Sequence, residues 1–151
     1  MPQSISPPSA DDCIFCRLVK GDIPATRVFE DDLTLAFMDI SQVNPGHVLV
    51  AVKRHAADLL EATPDEAAAV MRTAQRLALA ARTAFDPPGI SLYQMNGHAG
   101  EQTVFHFHLH VLPRHPGDGV GLTWPRKHPS RQLLEQHAQR LRAAMVDQLR
   151  D

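Results

Sequence analysis

Between Val104 and Leu112 the chain alternates strictly. His106, His108 and His110 occupy every second position, and Phe105, Phe107, Leu109 and Val111 fill the positions between them. Side chains of an extended segment point to opposite faces in turn. The run therefore reads as a β-strand with an apolar face for a core and an imidazole face opposite, ended by Pro113. At a rise of about 3.3 Å per residue, neighbouring histidines on that face have Cα atoms about 6.6 Å apart. The strand thus carries three rings in a row, with an apolar anchor beneath them.

The remaining segments supply a sheet around this strand. Ile14 to Val19 reads as a short helix stopped at Gly21, a residue that tolerates a left-handed end. Pro24 favours extended chain before it. Thr26 to Phe29 and Leu33 to Met38 are β-rich runs around Glu30-Asp31-Asp32, which predicts a hairpin. Asn44-Pro45-Gly46 marks a turn, and His47 to Val52 is apolar enough for a strand buried on both faces. Thr63-Pro64-Asp65-Glu66 is a helix start: Thr63 caps, Pro64 suits the first turn, and Glu66 stands three residues beyond the cap. The alanine-rich run to Ala84 has high helix propensity, and Asp86-Pro87-Pro88-Gly89 stops it. Ile90 to Met95 is a fourth strand, Asn96 to Gln102 a glycine-containing loop, and Val104 to Leu112 the fifth strand. Gly117 to Pro129 reads as loop. Ser130 caps a final helix in which Leu134, Ala138, Leu141 and Met145 recur at helical spacing.

Hairpins with separated helices, rather than repeated strand-helix-strand units, give an α+β class with about five mainly antiparallel strands. A long central helix, a short N-terminal helix and a C-terminal helix complete it. The expected organisation is a disordered Ser- and Pro-rich leader over 1–12, one domain over 13–129, and a C-terminal helix over 130–151 packed on that domain. A length of 151 residues suits a single domain. The net charge of -2 gives no basic surface for a nucleic-acid partner. No apolar run nears the roughly 20 residues of a membrane helix, and the start lacks the basic and apolar regions of a secretory signal. A cytoplasmic location is the expectation.

The histidine run admits three readings. A polar solvent face would be served equally well by Lys, Thr or Glu, so three alternating histidines need a better reason. Imidazole is a common zinc ligand, and two histidines at i and i+2 can share one ion. The third reading is nucleophilic catalysis. With a reference pKa of about 6.5, histidine is largely neutral at pH 7. A neutral imidazole can attack phosphorus while an acceptor holds the proton on its other nitrogen. The only two cysteines form Cys13-x-x-Cys16. In a chain without a signal peptide this pair reads as zinc ligands or as two reduced thiols in a small helix. It does not follow a strand as a thioredoxin-like motif would.

His106-Phe107-His108-Leu109-His110-Val111-Leu112 resembles the motif of the histidine-triad family, His-φ-His-φ-His-φ-φ with φ apolar. The likeness extends through Cys13-Ile14-Phe15, Ile23-Pro24-Ala25, Phe29-Glu30-Asp31-Asp32, Ala36-Phe37-Met38-Asp39-Ile40, Pro45-Gly46-His47 and Asn96 to Gln102-Thr103-Val104, covering roughly residues 13 to 115. This resemblance implies a hydrolase or transferase acting at the α-phosphate of a nucleotide, purines and adenine first, through a nucleotidyl-histidine on His108. It implies catalytic roles for His110, which contacts phosphate or the leaving group, and for His106. It places Asp39 on the ribose, Asn96, Gln102 and Thr103 on the phosphate or leaving group, and His47 in the nucleotide site. Phe15, Leu18, Phe37, Ile40 and Leu49 would form the apolar slot for the base. A branch of the family binds zinc, which implies a structural ion on Cys13, Cys16, His55 and His106, with no cofactor required for catalysis. Family members are homodimers, so a homodimer is expected.

The substrate is either a nucleoside phosphoramidate or a dinucleoside polyphosphate. Leu112-Pro113-Arg114-His115-Pro116-Gly117-Asp118 departs from the Gly-Gly that follows the triad in phosphoramidase-like members and looks closer to the branch that cleaves dinucleoside polyphosphates and to many other bacterial members, and Arg114 would meet a second phosphate or cover the surface. Two other classes stay open at this point: a non-catalytic nucleotide-binding signalling module, and a zinc-dependent hydrolase with the triad as metal ligands.

Overall fold

A computed structural model describes residues 9–121 and 123–148, apart from the side chain of residue 147. Most of the expected leader, residues 1–8, lies outside the described residues. Residues 9–12 make a turn in which the Asp12 amide donates to the Ser9 carbonyl. The chain divides into two compact units between Asp118 and Gly119.

The first unit is built on a five-stranded antiparallel sheet of order β1-β2-β3-β5-β4. Its strands are β1 (Arg27–Glu30), β2 (Thr34–Met38), β3 (Val48–Val52), β4 (Gly89–Tyr93) and β5 (His108–Arg114). Two helices accompany them, α1 (Ile14–Lys20) and α2 (Pro64–Phe85). The α+β class and the antiparallel sheet are as the patterning predicts.

The helix ends follow from their residues. Thr63 and Glu66 form a reciprocal capping box at the start of α2, with Pro64 in its first turn. Gly21 stops α1 at φ 83°, its amide returning to the last turn. Gly46 (φ 88°) turns the chain into β3 so close to α2 that a Cβ there would lie 2.6 Å from the Phe85 ring.

Two apolar layers cover the sheet. On one face, Val70, Ala74 and Leu77 of α2 pack with Val48, Val50, Val52, Phe107, Leu109 and Val111. Each Val, Leu or Phe side chain so buried contributes about 1.5–3 kcal/mol. On the other, Phe15, Cys16 and Leu18 of α1 pack with Leu35, Phe37, Leu49 and Ala51. A buried hydrogen bond between the Thr34 and Thr73 hydroxyls (3.0 Å) joins β2 to α2.

The histidine segment differs from expectation in one instructive way. Its strand begins at His108, not Val104, and runs through Pro113 to Arg114. Upstream the backbone bends, with the His106 amide donating to the Val104 carbonyl (2.9 Å). The Phe107 amide bonds the Ala56 carbonyl, outside the ladder, and the Val52 carbonyl receives the His106 ring. The local turn and the side-chain bond have taken the partners a longer strand would need. Phe107, Leu109 and Val111 still enter the core, but Phe105 does not. It is half-buried, its ring 4.7 Å from that of His98. Pro113 is tolerated because β3 pairs with β5 only as far as Val111.

The second unit contains α3 (Arg131–Gln148), whose Leu134, Leu141 and Met145 are exposed. No helix among the described residues is long and apolar enough to cross a membrane.

Candidate active site and metal cluster

His108 and His110 stand on the α1 side of β5, an interior strand of the sheet. They line a cavity of about 730 Å³, together with residues of α1, the Ile23–Thr26 segment and β2. Phe15, Leu18, Phe37, Ile40 and Leu49 make much of its apolar wall, with Asp39 and Thr103 beside them. Ile14, Ile23, Pro24, Ala25, Thr26, Met38 and Val104 complete the lining. These seven went unassigned in the sequence. The extended segment ahead of β1, signalled by Pro24 between apolar residues, was the available clue.

The His108 ring is 6% exposed, and its Nδ1 lies 2.5 Å from the His106 carbonyl oxygen. A carbonyl only accepts, so in the neutral ring Nδ1 carries the proton and Nε2 keeps its lone pair. Burial pushes the His108 pKa down, against the His106 hydrogen bond and the charge of Asp39, which favour the cation. Neutral imidazole with a fixed tautomer is the form of histidine that can act as a nucleophile. Phe15 packs edge-on against it, ring centroids 5.0 Å apart.

His110 is next along the same face, and its Nδ1 lies 2.9 Å from Nε2 of His47, which is buried behind it. Asp39 Oδ2 approaches both rings, at 3.5 Å from His47 and 3.9 Å from His110. The other carboxylate oxygen of Asp39 accepts the Ser41 amide (2.7 Å). Burial, followed by the neighbouring His108 and His47, lowers the His110 pKa to about 4. His47 is lowered chiefly by burial, with the charge of Asp39 and the Ser41 backbone opposing. Burial thus disfavours the charged form of both rings despite the carboxylate beside them.

Three residues that the resemblance placed at the nucleotide make hydrogen bonds within the protein. His47 touches His110 rather than lining the cavity. Gln102 is buried, its amide donating to the Ala57 and Val104 carbonyls while its oxygen accepts the Gly97 amide. Asn96 accepts the Leu59 amide (2.8 Å) and exchanges hydrogen bonds with Gln94. Gln102 and Asn96 therefore shape the loops behind the cavity. Arg114 is engaged as well, its guanidinium paired with Asp118 and donating to Ser91 and Tyr93.

His106 turns the other way along the sheet. It is fully buried, and its Nε2 bonds the Val52 carbonyl (2.6 Å), which leaves the Nδ1 lone pair facing Cys13 Sγ (3.3 Å) and Cys16 Sγ (3.5 Å). Cys16 Sγ is also 3.3 Å from His55 Nδ1. All four donor atoms lie within 4.8 Å of one another. A tetrahedral zinc with sulfur at about 2.3 Å and nitrogen at about 2.0–2.1 Å spaces such ligands about 3.6 Å apart. The donor set and its spacing fit zinc, and the Val52 carbonyl supplies the outer contact that fixes a ligating histidine's tautomer. In the protein as described, burial and then the adjoining Cys13 push the Cys16 thiol up to about 12.

These features have counterparts in known proteins. Residues 20–117 match the family model described as HIT domain. The chain is 43% identical over 116 residues to "Protein hit" of Bacillus subtilis, covering 76% of this chain and 80% of that protein. It is 37% identical over 115 residues to the adenosine 5'-monophosphoramidase hnt1 of Schizosaccharomyces pombe, covering 75% and 83%. Among solved structures, a HIT family member from Bacillus subtilis matches with a TM-score of 0.82 at 37% identity, over 87% of this chain and 96% of that one. A zinc-bound histidine triad family protein from Mycobacterium smegmatis matches with a TM-score of 0.70 at 38% identity, over 90% and 99%. The chain belongs to the HIT domain family.

Proposed function

We propose that this protein is a nucleotide hydrolase or transferase that cleaves at the α-phosphate of a purine nucleotide through a covalent intermediate on His108. The observation that carries the reading is the His108 ring, pinned through Nδ1 to a backbone carbonyl beside a mostly apolar cavity. Nε2 forms a bond to phosphorus as the bond from phosphorus to the leaving group breaks. Water then attacks the phosphoramidate, releasing the nucleoside monophosphate and returning the lone pair to Nε2. The base lies among Phe15, Leu18, Phe37, Ile40 and Leu49, and Asp39 accepts hydrogen bonds from the ribose hydroxyls. Thr103 and His110, which also line the cavity, contact the phosphate or the leaving group. Gln102 holds the loop that carries Thr103, through Gly97 and Val104, and Asn96 contacts the phosphate or leaving group.

Of the two substrate classes, the nucleoside phosphoramidate is favoured. The relative hnt1 is named as a monophosphoramidase, and Arg114, which the sequence offered for a second phosphate, is engaged with Asp118. Cys13, Cys16, His55 and His106 hold zinc in a structural role, tying α1 to the segment that leads into β5, and no cofactor enters the attack. A triad that ligates a catalytic metal is disfavoured, because the His106 ring faces the thiols while His108 faces the cavity.

The active unit is a homodimer. Strand β4 is outermost in the sheet, and the exposed Leu92 and Met71 stand with Ile90 around a shallow hollow between β4 and α2. Sizing in solution tests this directly.

The test of the mechanism is a panel of adenosine phosphoramidates and dinucleoside polyphosphates, assayed with the wild type and His108→Asn. Turnover is lost in the variant while adenosine monophosphate binding survives, and an acid-labile adduct forms on the wild type alone. Unchanged turnover in His108→Asn would reject the mechanism. Binding without turnover in both proteins would favour a signalling module.

A further inference from the structure

We propose that Asp39, His47 and His110 form a second transition-metal site, separate from the Cys13–Cys16–His55–His106 cluster, and that a divalent ion bound there closes the nucleotide cavity. The three donor atoms, Asp39 Oδ2, His47 Nε2 and His110 Nδ1, lie 2.9, 3.5 and 3.9 Å apart. Nitrogen and oxygen ligands held at about 2.0–2.1 Å around a tetrahedral zinc are about 3.4 Å apart. Small ring and carboxylate rotations convert one spacing into the other. Two imidazoles and one carboxylate with an open fourth position make a donor set for zinc, cobalt or nickel rather than magnesium or calcium.

The surroundings prepare these atoms for an ion. Asp39 is locked by the Ser41 amide on its far oxygen, and the His47 side chain is buried. A fixed outer contact such as that on Asp39 orients a metal ligand. Only one proton fits between two ring nitrogens 2.9 Å apart. A metal ion takes the place of that proton, which moves to the far nitrogen of its own ring so that both ligands stay neutral imidazoles, and Asp39 offsets part of the ion's charge. The open position faces the cavity, because Asp39 and His110 both line it.

Ion binding stands independently of the proposed function, whereas competition with nucleotide rests on it. An ion at Asp39 and His110 takes the carboxylate assigned to the ribose and the ring assigned to the phosphate. Excess zinc is then an inhibitor acting by occupation, and the Cys-His cluster fills first because thiolates bind zinc more strongly.

Cobalt titration of the chelator-stripped chain separates the two sites. The expected result is two ions per chain. The first develops a thiolate-to-cobalt charge-transfer band, and the second only ligand-field absorption. His47→Ala and Asp39→Asn retain the first ion and weaken the second by more than about tenfold, with circular dichroism checking that each variant folds. One ion per chain in the wild type, or a second ion that both variants bind as tightly, overturns the proposal. If two ions bind as described but no nucleotide substrate turns over, the metal site stands and the functional reading fails. Turnover that rises as the second ion binds overturns the inhibitory role.

Discussion

Glu66 is the polar residue on which the segment carrying His55 is hung. Its carboxylate accepts from Arg54 Nε and Nη2, each at 2.7 Å, and from the Thr63 amide at 2.8 Å. Arg54 also donates to the carbonyls of His55 and Glu61. One carboxylate therefore closes the capping box of α2 and ties down the loop after β3. Charge-assisted hydrogen bonds contribute about 1.5–3 kcal/mol, but the Arg54 side chain is 51% exposed, so solvent screening cuts the pair well below that. The capping contact adds about 0.5–1 kcal/mol. Glu66→Ala is expected to destabilise by about 1–2 kcal/mol, and Glu66→Gln, which can still accept from Thr63, by about 0.5–1 kcal/mol.

The pH dependence gives a second reading of the same bond. Arg54, ahead of the Thr63 contacts, holds Glu66 down at about 2. A carboxylate depressed in the folded state contributes stability that is complete above its unfolded value, near 4.5, and is lost as pH falls towards 2. Metal-free wild type and Glu66→Gln, compared by urea denaturation with equal m-values, should differ fully near neutrality and converge as acid is added. At about 2–4 °C per kcal/mol for a chain of this size, melting of Glu66→Ala should fall by about 2–8 °C. A loss below about 0.5 kcal/mol, or a wild-type advantage over Glu66→Gln that does not shrink with acid, would refute the assignment.

Two further outcomes test the scaffold. Phe107→Ala empties a site 3% exposed between the sheet and α2 and should cost about 3–5 kcal/mol, read as a lowered urea midpoint. Gly46→Ala imposes a Cβ on a left-handed backbone 2.6 Å from the Phe85 ring. It should destabilise by more than about 1 kcal/mol, and Phe85→Leu in the same chain should recover part of the loss. A neutral Gly46→Ala would mean that β3 and the end of α2 can separate freely.

Much of this molecule was legible in its residues because local signals agreed with one another. The Thr63–Glu66 capping box and the left-handed stop at Gly21 formed where the sequence put them. So did the alternation that sends Phe107, Leu109 and Val111 inward. The start of β5 was not legible. Whether Val104–Phe107 joins the ladder depends on where the carbonyls of Val52, Ala56 and Ala57 find partners, and those lie some fifty residues away. The same limit applies to the internal hydrogen bonds of Asn96, Gln102 and His47, whose partners Leu59, Ala57 and His110 are distant in the chain. Pro24 and its neighbours posed the opposite problem, a cavity wall made of ordinary apolar residues whose only distinction is position.

His106 meets the cysteine pair with its ring and His108 with its main-chain oxygen. Alanine scanning can reach only the first of these contacts, since every substitution leaves a carbonyl at that position. A side-chain scan will therefore score His106 as a residue of the sulfur-rich corner and assign nothing to the peptide group that steers its neighbour. Seeing that second contribution takes a chemical edit of the backbone, such as a thioamide in place of the amide.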